Sequence, residues 1–174
     1  MSDLPLIDII IPNYNKANYL EDCLNSVISQ TYKNWKIYLV DDNSTDHSKK
    51  ILEKFEKSNN FNIYYLKENV GPANCRNMGI KNSDSDYVAF LDSDDLWPTN
   101  KLEVQIKSML ENNYAFTYTD YSFFYNNDMG KQKLTNLPDI YNFNKFIMNS
   151  SMSTSSIILK REILQKIPFE QVMH

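Results

Sequence analysis

The fold is decided by residues 7–15, which read Ile-Asp-Ile-Ile-Ile-Pro-Asn-Tyr-Asn. The first part is short, β-branched and almost entirely apolar, which is typical of a strand buried on both faces of a sheet. Pro12 and the polar residues after it end this strand. Apolar residues then recur at helical spacing over 19–28, which predicts an amphipathic helix. Asn18 is its predicted N-cap, with Glu21 three residues later.

The same strand-and-helix unit repeats along the chain. Four more strands are predicted, at 35–40, 61–66, 87–91 and 114–119. Three more helices are predicted, around 51–55, over 72–82 and around 102–110, the last with Thr99 or Asn100 as its cap. This alternation predicts βαβ units. We therefore expect an α/β, Rossmann-like fold with a mostly parallel sheet and helices on both faces.

After residue 120 the pattern changes. A loosely alternating stretch at 121–125 precedes the turn signal Asn-Asn-Asp-Met-Gly, so a hairpin is predicted there. A short helix near 143–148, a strand at 155–159 and a helix at 162–167 complete the prediction. No linker rich in glycine, proline or serine divides the chain, and one domain is expected over 1–174.

Composition excludes several classes of protein. The net charge of −4 and the lack of a basic stripe argue against a nucleic-acid partner. No apolar run is long enough to span a bilayer, and the N-terminus lacks the apolar region of a signal peptide. Cys23 and Cys75 have no metal-type spacing and are expected to be free thiols. We therefore expect a cytoplasmic location, with the inner face of the membrane as an alternative.

Polar residues follow each predicted parallel strand, and ligands of open α/β sheets bind outside those strand ends. The segments concerned are 12–15, 41–44, 68–71 and 92–95. The second and fourth contain carboxylates that would repel one another at one edge of a sheet. A divalent cation with oxygen ligands, such as Mg²⁺, Mn²⁺ or Ca²⁺, would offset that repulsion.

Each of these residues also has a structural interpretation. Aspartates after strands make turns and helix caps, which is the favoured interpretation for Asp46, whereas Asp42 and the 92–95 cluster remain open. Arg76 has a planar guanidinium that suits a diphosphate, or it is a solvated residue on a helix face. Tyr14 either stacks on a base or is a surface tyrosine. Gly71 and Gly79 are expected to permit close approach to a diphosphate.

Four motifs in order carry a resemblance to a known family. They are Ile-Ile-Ile-Pro-Asn-Tyr-Asn at 9–15, Val-Asp-Asp-Asn-Ser-Thr-Asp at 40–46, Asn-Val-Gly at 69–71 with Arg76 and Asn77, and Phe-Leu-Asp-Ser-Asp-Asp at 90–95. Together they resemble glycosyltransferase family 2, whose members have the GT-A fold. The resemblance is strong over 6–110 and looser over 111–174.

The resemblance implies an inverting, metal-dependent transfer from a nucleotide-diphosphate sugar, with a UDP-sugar as first choice and Mn²⁺ or Mg²⁺ as cofactor. The segment Asp92-Ser-Asp94 is similar to the family's DxD motif, and Asp94 and Asp95 would contact the metal. Asp42 would accept from an N–H of the base, and Arg76 would border the diphosphate. The implied nucleotide-sugar-binding set is Pro12, Tyr14, Asn15, Asp42, Asn69, Gly71, Arg76, Asp92 and Asp94.

The resemblance also implies two halves: residues 1–110 bind the nucleotide sugar, and 111–174 begin the acceptor side. The family's catalytic base belongs to an acidic motif expected beyond His174, so we assign no catalytic residue and expect a C-terminally truncated domain. A saccharide or lipid-linked acceptor of a bacterial surface glycan is implied, with peripheral membrane contact as a further possibility. Two alternatives stay open: an inactive nucleotide-sugar-binding fragment, and a receiver-type signalling domain, which needs an acidic pair after its first strand.

Overall fold

The computed structural model describes residues 4–125, 128–134, 152–164 and 169. Strands and helices alternate over residues 7–117. The strands are β1 (Ile7–Asn13), β2 (Trp35–Asp41), β3 (Phe61–Tyr65), β4 (Tyr87–Phe90), β5 (Phe116–Thr117), β6 (Ser122–Tyr125), β7 (Asp128–Leu134) and β8 (Ile158–Lys160). The helices are α1 (Ala17–Ile28), α2 (Ser48–Leu52), α3 (Pro72–Asn82), α4 (Lys101–Asn112) and α5 (Arg161–Leu164).

The main sheet has six strands in the order β3-β2-β1-β4-β8-β5. The first four of these are mutually parallel, whereas β8 runs antiparallel to both β4 and β5. The prediction of a mostly parallel sheet is therefore confirmed. Asn13 pairs with Asp41 at the ends of β1 and β2, so the loops that follow these two strands begin side by side.

Strand β1 lies in the middle of the sheet and divides the core into two layers. Ile9 and Ile11 face a layer that contains apolar residues of α1, α2 and α4. Ile10 faces the opposite layer, with residues of β2, β4 and α3. These isoleucines are fully buried, and such burial contributes about 1.5–3 kcal/mol per side chain. Helices therefore cover both faces of the sheet, as the sequence predicts.

A buried carboxylate near the start of β1 holds together the elements at the amino end of this strand. Asp8 is fully buried and accepts hydrogen bonds from the backbone amides of Asp84 and Ser85 at 3.0 and 2.8 Å. Its third partner is Arg161 at the start of α5, with an Nη2–Oδ2 distance of 3.2 Å. Charge and hydrogen bonding together make this burial tolerable. The contact fixes β8 and α5 against the first strand of the chain.

The predicted start of α1 is wrong by two residues. The helix begins at Ala17, and Asn18 lies inside it. The capping oxygen comes instead from Asp46, whose Oδ2 accepts from the amide of Ala17 at 2.9 Å while Oδ1 accepts from that of Ser48 at 2.9 Å. The prediction of a capping role for Asp46 is therefore confirmed. Asn100 precedes α4 as predicted, although its side chain makes no capping hydrogen bond.

The later part of the chain follows the prediction less closely. The hairpin is confirmed as β6 and β7, which pair antiparallel. The strand predicted at 114–119 is shortened to two residues, and 154–156 form a 3₁₀ turn ahead of β8 rather than the start of a strand. The helix predicted at 143–148, the hairpin turn at 126–127 and the end of the predicted helix 162–167 lie outside the described residues. No helix in the described part is long and apolar enough to cross a bilayer.

Lys101 brings an ammonium group into the core at the first turn of α4. The residue is 6% exposed, its Nζ donates to Gln105 Oε1 at 2.5 Å, and the same atom lies 4.4 Å from the centroid of the Trp97 ring. Burial lowers the pKa of Lys101 to about 7. The unfolded chain keeps this proton up to about pH 10.4.

We expect Lys101→Met to stabilise the protein most at low pH. Below pH 7 the lysine is protonated in both states, so the folded state bears the full cost of a buried ammonium group. Between pH 7 and about 10.4 only the unfolded state holds the proton, so the wild type gains stability as the pH rises. Urea unfolding should show a gain for Lys101→Met of about 2 kcal/mol at pH 6 that shrinks towards pH 10. Lys107→Met, on the exposed side of the same helix, is the control; an equal, pH-independent change in both variants would contradict the account.

Candidate functional site

A pocket of about 390 Å³ lies at the carboxyl ends of the parallel strands. It is formed by the segments that follow β1, β2, β3 and β4 and by the first turns of α3. Every residue of the sequence-derived nucleotide-sugar-binding set except Asn15 lines it. The lining residues are Pro12, Asn13, Tyr14, Lys16, Asp42, Asn69, Gly71, Pro72, Cys75, Arg76, Asp92, Ser93 and Asp94.

Asp42 fixes the wall of the pocket that leads into α3. Its side chain is 2% exposed, and the two carboxylate oxygens accept hydrogen bonds from the amides of Val70 at 2.7 Å and Gly71 at 2.9 Å. Asn69 donates to the backbone oxygen of Asp42 at 3.3 Å. Gly71 has a φ of 86°, a conformation that favours glycine, so the loop can turn here into α3. The carboxylate thus orders the loop whose residues line the pocket.

Asn15 does not line the pocket, and its hydrogen bonds hold the loop that carries Tyr14. It has a φ of 53°, its amide donates to Ser44 Oγ at 3.0 Å, and its Oδ1 accepts from the amide of Thr45 at 2.8 Å. The structure therefore does not bring Asn15 into the pocket lining with the other predicted residues. Tyr14 is 46% exposed and stands at the rim, where a ring is accessible to a ligand.

Arg76 faces the pocket rather than solvent. Its Nη2 donates to Asp92 Oδ1 at 2.5 Å, and the guanidinium carbon lies 5.5 Å from the centroid of the Phe169 ring. The side chain is 12% exposed, and Nε has no hydrogen-bond partner among the described residues. The solvated-helix interpretation of Arg76 is wrong, because the ion pair and the ring hold the guanidinium beside the Asp92 turn.

Asn77, the next residue on α3, anchors Phe169. Its Nδ2 donates to the backbone oxygen of Phe169 at 2.8 Å, and its Oδ1 accepts from the Phe169 amide at 3.1 Å. The ring of Phe169 packs edge-on against Phe90, with centroids 5.1 Å apart. Sequence analysis placed Asn77 in a motif and gave it no role. The two hydrogen bonds bring residue 169 to the side of α3 that holds Arg76.

Asp94 and Asp95 line different cavities and have different hydrogen-bond partners. Asp94 lines the pocket, and its Oδ2 accepts from Lys16 Nζ at 2.6 Å. Asp95 faces a second cavity of about 980 Å³ near α1 and α4, where it accepts from Ser155 Oγ at 2.5 Å. Burial raises the pKa of Asp95. The two expected metal ligands, Asp94 and Asp95, thus line different cavities.

The described residues contain no group of three or more His, Cys, Asp or Glu side chains that could hold a metal ion. In the pocket, Asp94 is the carboxylate that fits a cation best, because its side chain is 38% exposed and Lys16 engages Oδ2. Asp92 is occupied by Arg76. A cation held by one carboxylate would take its remaining ligands from water and from substrate phosphates.

Two further predictions can be checked. Gly79 does not itself line the pocket: a Cβ there would lie 2.6 Å from Ile10 Cγ2, so this glycine lets α3 pack closely on β1. The expectation that Gly79 permits approach to a diphosphate is therefore wrong. Cys75 lines the pocket as a free thiol, and burial raises its pKa to about 12, so it stays protonated at neutral pH. Cys23 is also buried and free.

Comparison with known families and curated proteins gives a consistent result. The model of the family "Glycosyl transferase family 2" matches residues 8–168. The putative teichuronic acid biosynthesis glycosyltransferase TuaG of Bacillus subtilis is 36% identical over 159 residues, which are 91% of this chain and 63% of that protein. The Escherichia coli enzyme WfgD, named as a UDP-Glc:α-D-GlcNAc-diphosphoundecaprenol β-1,3-glucosyltransferase, is 36% identical over 170 residues, 94% of this chain and 64% of WfgD. The chain thus spans somewhat less than two thirds of these two relatives.

Solved structures share the fold. Residues 1–349 of Staphylococcus aureus TarS in complex with UDP superpose with a TM-score of 0.72 at 23% identity, covering 92% of this chain and 48% of that one. The mannosyltransferase PcManGT of Pyrobaculum calidifontis, in complex with GDP-Man and Mn²⁺, gives a TM-score of 0.71 at 17% identity, covering 95% and 47%. At these identities the likeness establishes the GT-A fold.

We expect Asn77→Ala to release residue 169 from α3. Loss of both hydrogen bonds should lower the free energy of unfolding by about 2 kcal/mol. Amide hydrogen exchange at Phe169 should also become faster. The matched control is Asn82→Ala on the same helix, where the side chain bonds only within α3, to Met78. Equal exchange at Phe169 in both variants would show that Asn77 does not anchor this residue.

Proposed function

The chain belongs to glycosyl transferase family 2, and from this premise we propose that it binds a nucleotide-diphosphate sugar, with a UDP-sugar as first choice. We propose further that the sugar is transferred, with inversion, to a saccharide or lipid-linked acceptor during synthesis of a bacterial surface glycan. The observation that carries the proposal is the pocket at the strand ends. It combines an exposed aromatic ring, three carboxylates, of which only that of Asp42 is buried, and two cationic side chains.

The parts of a nucleotide-diphosphate donor match groups around this pocket. The ring of Tyr14 at the rim offers a face on which a base can stack. Asp42 and Asn69 lie on the adjoining wall and offer oxygens and an amide to the edge of the base. Arg76 and Lys16 carry the positive charge that a diphosphate requires. The names of WfgD and the TarS complex support UDP, whereas PcManGT is paired with GDP-Man, so GDP is the comparison ligand.

Asp94 is the residue proposed to hold Mn²⁺ or Mg²⁺ in this pocket. When bound with the donor, such a cation would neutralise charge that develops on the leaving diphosphate. Arg76 would act on the same charge, with its guanidinium oriented by Asp92 and the Phe169 ring. Asp95 is not part of this proposal, because its carboxylate is bonded to Ser155 at the second cavity.

We assign no base for the proton of the acceptor hydroxyl among the described residues. The contacts of Phe169 with Asn77 bring this residue to the side of α3 that holds Arg76. In-line attack by the deprotonated hydroxyl on the face opposite the diphosphate would invert the anomeric carbon. The chain's own contribution is to bind and orient the donor.

Two alternatives to this function were left open by the sequence: a receiver-type signalling domain and an inactive nucleotide-sugar-binding fragment. The receiver-type hypothesis is wrong: the family is established, and β1 ends in Asn13 followed by Tyr14 where a receiver needs an acidic pair. An inactive nucleotide-sugar-binding fragment has the same pocket as an active enzyme. Release of UDP from UDP-glucose in the presence of an acceptor separates these two forms.

We expect calorimetric titration to show binding of UDP that becomes tighter in the presence of Mn²⁺. Asp94→Ala should abolish the Mn²⁺-dependent gain, because this carboxylate is the proposed cation ligand. Asp84→Ala removes an exposed carboxylate at the far end of the sheet and is the control. Absence of UDP binding both with and without Mn²⁺ would overturn the proposed function. An unchanged Mn²⁺ effect in Asp94→Ala would overturn the metal assignment alone.

A further inference from the structure

We propose that Lys16 and a divalent cation compete for the carboxylate of Asp94. Lys16 then serves as a built-in counter-ion that lets the pocket accept a nucleoside diphosphate without metal, and it sets the metal concentration at which the cation takes over. The inference rests on the proposed function for the identity of the ligand. Its first step, the competition at Asp94, involves only this chain and a metal ion.

The backbone on both sides of Lys16 is fixed, so its ammonium group is presented to one place. Asn15, before it, is bonded to Ser44 and Thr45 in the loop after β2. Ala17, after it, is bonded to Asp46 in the same loop. Lys16 is therefore the residue between two anchored neighbours, at the point where the chain turns from the strand end into α1.

From this position the Lys16 side chain reaches across the pocket mouth to the turn after β4. Its Nζ lies 2.6 Å from Asp94 Oδ2, and both residues line the pocket. A divalent ion that binds this carboxylate would meet the ammonium group at the same oxygen. Two cations at that spacing repel each other, so strong binding of one weakens binding of the other.

The ion pair of Lys16 with Asp94 is exposed enough to open when a metal ion binds. The two side chains are 41% and 38% exposed, so Lys16 can move away from Asp94 without leaving a buried charge behind. Lys101, by contrast, is 6% exposed and fixed in the core. Elsewhere in the pocket, Arg76 stays paired with Asp92. The exchange thus changes the charge next to Asp94 and leaves the second cation of the pocket in place.

The test is Lys16→Gln, compared with wild type by titration of UDP in EDTA and in a series of Mn²⁺ concentrations. An exposed ion pair of this kind is expected to change each affinity by about fivefold. In EDTA, UDP should bind about fivefold more weakly to Lys16→Gln. The Mn²⁺ concentration that gives half of the metal effect should fall by a similar factor. Binding of Mn²⁺ alone, followed by electron paramagnetic resonance, should tighten in the same variant.

Three variants serve as controls. Lys54→Gln removes a comparable exposed pair with Glu21, outside the pocket, and reports the effect of net charge. Lys16→Arg keeps a cation and should keep metal-free UDP binding. In an Asp94→Asn background, Lys16→Gln should no longer change the affinity for Mn²⁺, because the shared carboxylate is gone.

Several results would overturn the inference. These are an unchanged Mn²⁺ affinity in Lys16→Gln, an equal shift in Lys54→Gln, or a full effect of Lys16→Gln in the Asp94→Asn background. Failure of UDP to bind the wild type would overturn the proposed function instead, because the Mn²⁺ measurement without nucleotide still tests the competition. A circular dichroism spectrum and a melting curve identify any variant that fails to fold, and Lys16→Met then replaces Lys16→Gln.

Discussion

The arrangement of the whole pocket depends on how three carboxylates at one sheet edge are held. Parallel pairing of β1 with β2 and β4 brings their carboxyl ends together, and with them Asp42, Asp92 and Asp94. Like charges at close range disfavour one another, so each needs a partner. Two backbone amides hold Asp42, Arg76 holds Asp92 and Lys16 holds Asp94.

These pairings shape the pocket as well as neutralise it. The amides bonded to Asp42 fix the loop before α3, and that loop begins the helix that carries Arg76. Arg76 in turn lies over the ring of Phe169. A ligand would therefore meet groups that are already oriented, which lowers the entropy cost of binding. The half-exposed pair of Lys16 with Asp94 is the part of the arrangement that can still change.

Hydrophobic patterns in the sequence predict secondary structure, because a strand or a helix is formed by residues that are neighbours in the chain. The apolar run of β1 and the helical spacing of α1 predict elements that the structure confirms, and the motifs at the strand ends predict most of the pocket lining. Contacts between residues that are far apart in the chain leave no periodic pattern in the sequence, so they were not predicted. Lys16 meets Asp94 across 78 positions, Asn77 meets residue 169 across 92, and Arg161 meets Asp8 across 153. Adjacent positions also cannot reveal that Asp94 and Asp95 face different cavities, because backbone geometry decides it.

We propose that this pocket, in which each of the three carboxylates has a partner, binds a nucleoside diphosphate. A crystal structure of the chain soaked with UDP and Mn²⁺ tests it most directly. We expect uracil against Tyr14 and the Asp42 wall, the diphosphate beside Arg76, and anomalous density for Mn²⁺ at Asp94 with Lys16 displaced from it. UDP bound outside this pocket, or manganese density away from Asp94 with the Lys16 pair intact, would contradict it.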